Sequence, residues 1–165
     1  MDITRRRLLA SATLASAALA TPNIITSNKA FAAPLKKGEP IKVGLLFSLS
    51  GALAVPEEDS TLVLQYAFEE INKNGGVGGV PVQPIVVDAK SDFNVYSEKA
   101  KELILRDKVT ALFACYTSAS RKAILPTVMQ RNHLLYYPTC DEGAECSQNA
   151  VCTGPLRIQH SRDLI

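Results

Sequence analysis

The sequence predicts an α/β fold, a doubly wound parallel sheet. Two observations carry this. Short apolar runs suited to buried strands recur along the chain, and segments with helical spacing separate them. Strands joined by helices of this length imply right-handed βαβ units.

The elements can be taken in order. Ile41 to Phe47 (IKVGLLF) is the first strand, and Ser48-Leu49-Ser50-Gly51 is the turn after it. Leu64, Ala67, Phe68 and Ile71 then recur at i, i+3, i+4 and i+7, one face of a helix. Glu57, Glu58 and Asp59 precede that face, where acids favour a helix start, and Asn74-Gly75-Gly76 stops it. Pro84 to Asp88 is the second strand. Tyr96, Ala100, Leu103 and Ile104 mark a second helical face, with Asn94 as its expected cap. Val109 to Cys115 is the third strand. A third helix runs from near Ser118 toward Arg131, and Pro126 should kink or split it. Leu134 to Tyr137 and Ala150 to Thr153 are the last two strands.

The N-terminus reads as an address and not as part of this fold. Arg5, Arg6 and Arg7 stand before an apolar run of 13 residues, Leu8 to Ala20. A spanning helix needs about 20. Ala30-Phe31-Ala32 then meets the small-residue rule for signal peptidase, with cleavage before Ala33. The layout resembles a twin-arginine signal peptide over residues 1–32, and Lys29 and the weakly apolar middle suit that route. Residues 33–40 form a flexible leader.

Export changes the charge balance. Residues 1–32 hold four bases (Arg5, Arg6, Arg7, Lys29) and one acid (Asp2), so 14 of 18 bases and 15 of 16 acids remain. The mature chain is close to neutral, without the basic stripe that nucleic acid requires. Beyond the signal no apolar stretch is long enough for a membrane span.

Ligands in doubly wound sheets sit beyond the carboxyl ends of the strands. Here those ends are Ser48-Leu49-Ser50, Asp88-Ala89-Lys90-Ser91, Tyr116-Thr117-Ser118 and Tyr137-Pro138-Thr139. They are rich in hydroxyls and contain no nucleophile–base pair, so they read as a polar binding rim. Ser118 is a helix cap, a ligand contact or both. Tyr116 and Tyr137 are half-buried aromatics or contacts, and Thr139 is a contact or a turn residue. Ser48 and Ser50 read as loop hydroxyls, Asp88 as a turn cap and His133 as a helix C-terminal cap. No cofactor is called for: Gly75, Gly76, Gly78 and Gly79 follow a helix, not a strand, and form a turn.

Several segments resemble the first lobe of type I periplasmic binding proteins: Ile41 to Gly51, Glu69-Glu70-Ile71-Asn72 with Gly75-Gly76, and Val86-Val87-Asp88. The more specific block is Cys115 to Ala123 (CYTSASRKA) with Leu125-Pro126. Leu135-Tyr136-Tyr137-Pro138-Thr139, Glu142-Gly143, Cys146-Ser147 and Asn149 follow. This array is similar to the urea- and short-chain-amide-binding branch, rather than the branched-chain amino acid branch. The resemblance covers nearly all of residues 41–165.

It implies a two-lobed protein that holds a small polar solute between its lobes and delivers it to an ABC permease in the inner membrane, with the protein in the periplasm. First-lobe contacts then fall on Tyr116, Ser118, Tyr137 and Thr139. Hydroxyls suit a neutral amide or urea, which presents both donors and an acceptor. Residues 41–154 would be the first lobe. Residues 155–165 would begin the crossover to a second lobe that this sequence, as a truncated fragment, does not include. Asp141 departs from the family, which usually has an aromatic before the Glu-Gly pair, so one pocket wall should be more acidic or more open.

Cys115 reads as a buried thiol. Cys140, Cys146 and Cys152 are spaced by six and six, unlike a zinc site, so no metal is expected; Cys140–Cys146 is the shortest disulfide, and unpaired thiols are the alternative. Two other functions fit the resemblance less well. An amide-responsive sensor of the same fold conflicts with the export signal, and a thiol amidase using Cys115 lacks a His–acid partner set.

Overall fold

A computed structural model describes residues 38–139, 147–155 and 159. The signal segment, the leader up to residue 37, Cys140, Cys146, the Asp141 departure and nearly all of the expected crossover lie outside the described residues.

Five strands form one parallel sheet in the order β2-β1-β3-β4-β5. They are β1 (Ile41–Phe47), β2 (Val82–Asp88), β3 (Ala111–Ala114), β4 (Leu135–Tyr137) and β5 (Ala150–Cys152). Helices α1 (Ala54–Lys73), α2 (Phe93–Leu105) and α3 (Ser118–Gln130) connect the first four. The strand–helix alternation expected from the sequence is present from β1 to β4.

The two faces of the sheet follow from the two-residue period of β1. Ile41, Val43, Leu45 and Phe47 join Phe68 and Val82 in a core under α1. On the other face Leu46 packs with Tyr96, Ala100 and Leu103 of α2, Ile124 and Val128 of α3, and Leu112 and Leu135. Gly44 faces this second layer. A Cβ there would stand 2.7 Å from Leu112 Cδ2 and 3.2 Å from Leu103 Cδ1, so the glycine is what lets α2 come close. The α1 side is less completely covered. Phe68 meets Phe113 edge-on at 5.4 Å, and Phe113 stacks on Tyr136 at 4.7 Å, along an apolar hollow beside the amino-terminal ends of the strands.

Several expectations are corrected. β2 begins at Val82 and contains Pro84; among the described residues it is an edge strand paired with β1 alone, where a residue without an N–H is tolerated. β3 is Ala111–Ala114, shorter than expected at both ends; at its carboxyl end Cys115 has φ 73°, which turns the chain out of the strand. Asp92, not Asn94, caps α2 and accepts the amides of Asn94 and Val95. Thr117, not Ser118, caps α3: its hydroxyl accepts the Ser120 amide while the Ser120 hydroxyl accepts that of Thr117. Pro126 does not split α3, which is assigned as one helix from Ser118 to Gln130. Ala67 is exposed on α1, and Glu57 is buried within the first turn instead of preceding the helix.

Other expectations hold. Gly75, at φ 96°, ends α1, with the Gly75 and Gly76 amides returning to Asn72 and Ile71. Asn132, at φ 48°, ends α3 the same way, with the His133 amide on Val128. His133 therefore caps through its backbone, while its ring Nε2 lies 2.8 Å from the Val109 carbonyl. Cys115 is fully buried. No helix among the described residues is long and apolar enough to cross a membrane.

Candidate functional site

The order β2-β1-β3 places a topological switch between β1 and β3. The chain leaves β1 for α1 on one face and leaves β3 for α3 on the other, the arrangement in which open α/β sheets form a crevice at their carboxyl ends. Residues 48–53 form one side of this rim and residues 115–118 the other, with 138–139 beyond β4.

Three of the four expected contact residues meet at one atom. The backbone carbonyl of Tyr116 accepts the Tyr137 hydroxyl at 3.0 Å and the Thr139 hydroxyl at 2.8 Å. The ends of β3 and β4 are thereby locked together. Tyr116 is 41% exposed, whereas Tyr137 is 1% exposed, with its ring 4.5 Å from the buried Arg121 guanidinium. Ser118 is the first residue of α3 and half-buried. The first turn of a helix carries amides without intrahelical acceptors and the positive end of the dipole. Thr117 takes two of the amides at this end, accepting Ser120 through its hydroxyl and Arg121 through its carbonyl. Behind β4, Gly154 fits against Thr139: a Cβ there would be 2.0 Å from the Thr139 carbonyl oxygen.

The other half of the rim is built differently. Asp88 is the turn cap expected of it, accepting the amides of Leu49 and Lys90 and the Ser50 hydroxyl. Burial works against its charge, but these hydrogen bonds prevail and hold its carboxyl below the ordinary range. Ser48 is buried, not a free loop hydroxyl: it contacts the Tyr96 hydroxyl and accepts the Ser91 amide. Ser50 is exposed at the rim.

Glu57 was missed as part of the site. It is fully buried, and one of its oxygens accepts both the Ser48 amide and the Tyr96 hydroxyl. Burial raises its carboxyl above the ordinary range, against the hydrogen bonds from Tyr96 and Ser48. Its signal was in the spacing: Glu57, Thr61, Leu64 and Phe68 continue one helical face at i, i+4, i+7 and i+11. Burial pushes the Cys115 thiol up and keeps it protonated, which does not suit a nucleophile. Among the described residues no cluster of His, Cys, Asp and Glu is placed to share a metal.

A periplasmic binding protein domain matches residues 41–165. The chain belongs to the periplasmic binding protein family. Among curated relatives, the Leu/Ile/Val-binding protein homolog 8 of Brucella suis biovar 1 (strain 1330) is 36% identical over 100 residues, covering 61% of this chain and 24% of the relative. Homolog 7 of Brucella abortus (strain 2308) is 36% identical over 78 residues, covering 47% and 19%. The chain thus spans about a quarter or less of these relatives' length.

Solved periplasmic binding proteins share the lobe. The branched-chain amino acid transporter substrate binding protein LivJ of Streptococcus pneumoniae, in complex with isoleucine, superposes with a TM-score of 0.62 at 26% identity, covering 64% of this chain and 30% of LivJ. An ABC-type branched-chain amino acid transporter from Rhodopseudomonas palustris CGA009 gives a TM-score of 0.66 at 19% identity, over 72% of this chain and 33% of the other, a likeness of fold alone.

Proposed function

We propose that this periplasmic binding protein lobe serves ABC import: it is exported by the twin-arginine route, cleaved before Ala33, and binds a small neutral solute that it presents to an inner-membrane permease. We infer that the solute is urea or a short-chain amide. The observation that carries this is the convergence of the Tyr137 and Thr139 hydroxyls on the Tyr116 carbonyl beside the start of α3. In this reading Ser118 donates or accepts at the solute, Thr139, whose proton goes to the Tyr116 carbonyl, accepts from it, the exposed Tyr116 ring shields it from water, and Tyr137 holds the wall from behind.

The names of the Brucella relatives and the isoleucine in LivJ favour a second reading, a branched-chain amino acid. That zwitterion needs partners for a carboxylate, an ammonium and an apolar side chain. The hydroxyl-rich rim and the Cys115 to Ala123 block support the neutral solute instead.

Calorimetric titration of the chain with urea, acetamide, leucine and isoleucine tests both. A four-heavy-atom solute is limited to roughly −6 kcal/mol, so a dissociation constant no tighter than tens of micromolar is expected. Residues 33–165 titrated by themselves should bind more weakly, in the millimolar range, since in a two-lobed cleft one lobe supplies about half of the polar partners. Ser118→Ala should weaken it further, by about 1–3 kcal/mol. Binding of leucine or isoleucine with no response to urea or acetamide would establish the second reading.

A further inference from the structure

The loops after β1 and β2 are held to each other by a directional chain of hydrogen bonds. Each hydroxyl has one proton to give, which fixes the direction. Tyr96 on α2 donates to Glu57 on α1. Its oxygen is then left to accept from the Ser48 hydroxyl, 3.1 Å away. Ser48 in turn accepts the Ser91 amide at 2.9 Å. The Ser48 amide closes the ring by donating to the same Glu57 oxygen. Ser91 extends the seam, donating from its hydroxyl to the Ser50 carbonyl at 2.8 Å and accepting the Leu53 amide at 3.0 Å. Gly51, at φ 85°, permits this approach, since a Cβ there would be 2.7 Å from the Ser91 hydroxyl oxygen.

A buried carboxylate in a 20-residue helix is costly unless its hydrogen bonds do something that an apolar residue could not. Glu57 is the acceptor on which the whole chain ends. It touches the β1–α1 loop and α2, and that loop, with Leu49 and Ser50 exposed, follows the carboxyl end of β1, the strand paired with β3, whose own end leads to Tyr116 and Ser118. The charged and titratable groups around it are Tyr96 from α2, Asp88 at the end of β2, and Cys115 at the end of β3 with Arg121 of α3 near that thiol.

We propose that Glu57 is a positioning residue of the solute cleft: by accepting from Ser48 and Tyr96 together it sets where the β1–α1 loop stands, and so fixes the wall opposite Tyr116 and Ser118. The proposal rests on the solute-binding reading for its effect on affinity, but not for its effect on the loop.

The test uses the chain with Glu57→Leu, Glu57→Gln and Tyr96→Phe, and two readouts. The first is amide hydrogen exchange at Ser48 to Leu53 and at Ser91, compared with core amides of Leu45 and Leu112. Glu57→Leu and Tyr96→Phe should speed exchange in the loop by about tenfold or more, the factor carried by a hydrogen bond to a charged group, and leave the core amides little changed. Glu57→Gln keeps an oxygen that can accept both bonds and should restore the loop. The second readout is the apparent affinity for urea and acetamide, which should fall with Glu57→Leu and return with Glu57→Gln.

Loop exchange unchanged by both disrupting variants would overturn the proposal. So would exchange that rises equally in the loop and the core, or a glutamine that fails to rescue. If Glu57→Leu does not fold, Tyr96→Phe decides. Wild-type protein that ignores urea and acetamide sinks the solute reading alone, because the exchange comparison still decides the role of Glu57 in the loop.

Discussion

The Tyr137 hydroxyl donates to the backbone carbonyl of Tyr116 at 3.0 Å, and through this bond the end of β4 holds the end of β3 in place. The same carbonyl receives Thr139 at 2.8 Å, so one acceptor anchors two loops of the rim.

Removing one donor leaves the carbonyl satisfied by the other. Tyr137→Phe and Thr139→Val should each lower stability by about 0.5–1.5 kcal/mol. The double variant leaves the carbonyl without either partner, and its loss should exceed the sum of the two. Urea unfolding of the four proteins measures this, and strict additivity would show that the bonds act independently.

Gly44 should not tolerate a methyl group. Gly44→Ala drives a Cβ to 2.7 Å from Leu112 in a layer where Leu103 and Leu112 are fully buried. A loss of about 1–3 kcal/mol is expected from overpacking. Leu112→Ala in the same background should recover part of the strain, although alone it opens a cavity costing about 2–5 kcal/mol. Denaturant midpoints of the three variants check the coupling.

Asp88 and Glu57 should pull stability in opposite directions with pH. The Asp88 carboxyl sits below its ordinary value, so its contribution is present above the unfolded-state pKa and is lost as pH falls through the folded one. Glu57 is raised, so its contribution is greatest below its unfolded-state pKa and is lost as pH rises through the folded one. Asp88→Asn should flatten the acid side of a melting-temperature profile, whereas Glu57→Gln should flatten the part just above the ordinary carboxylate range. Profiles superimposable on wild type would show that neither group is coupled to folding.

Export should depend on the paired arginines. With Arg5 and Arg6 both replaced by Lys, the precursor should stay in the cytoplasm, because the twin-arginine translocase reads the pair itself and not its charge. Cell fractionation with N-terminal sequencing of the exported form checks both the route and cleavage before Ala33.

The residues themselves determined the order of strands and helices, because a two- or 3.6-residue period is a local property of the chain. β1 shows this, with Ile41, Val43, Leu45 and Phe47 on one face, as does the Tyr96, Ala100 and Leu103 stripe of α2. The carboxyl-end loops were legible as a polar rim for the same reason. Which cap wins at a helix start was not legible, since Asp92 and Thr117 are chosen over Asn94 and Ser118 by where the backbone turns. Only the tertiary structure decided that β1 lies between β2 and β3, and with it where the crevice opens. It also decided that Glu57 points inward to Ser48 and Tyr96, and that Tyr137 and Thr139 share the Tyr116 carbonyl. Glu57 and Tyr96 are 39 positions apart, and Tyr116 and Tyr137 are 21 apart. No periodicity encodes such pairs; they form because the parallel sheet brings successive carboxyl ends to one edge, where a buried polar group must find a partner or remain in water.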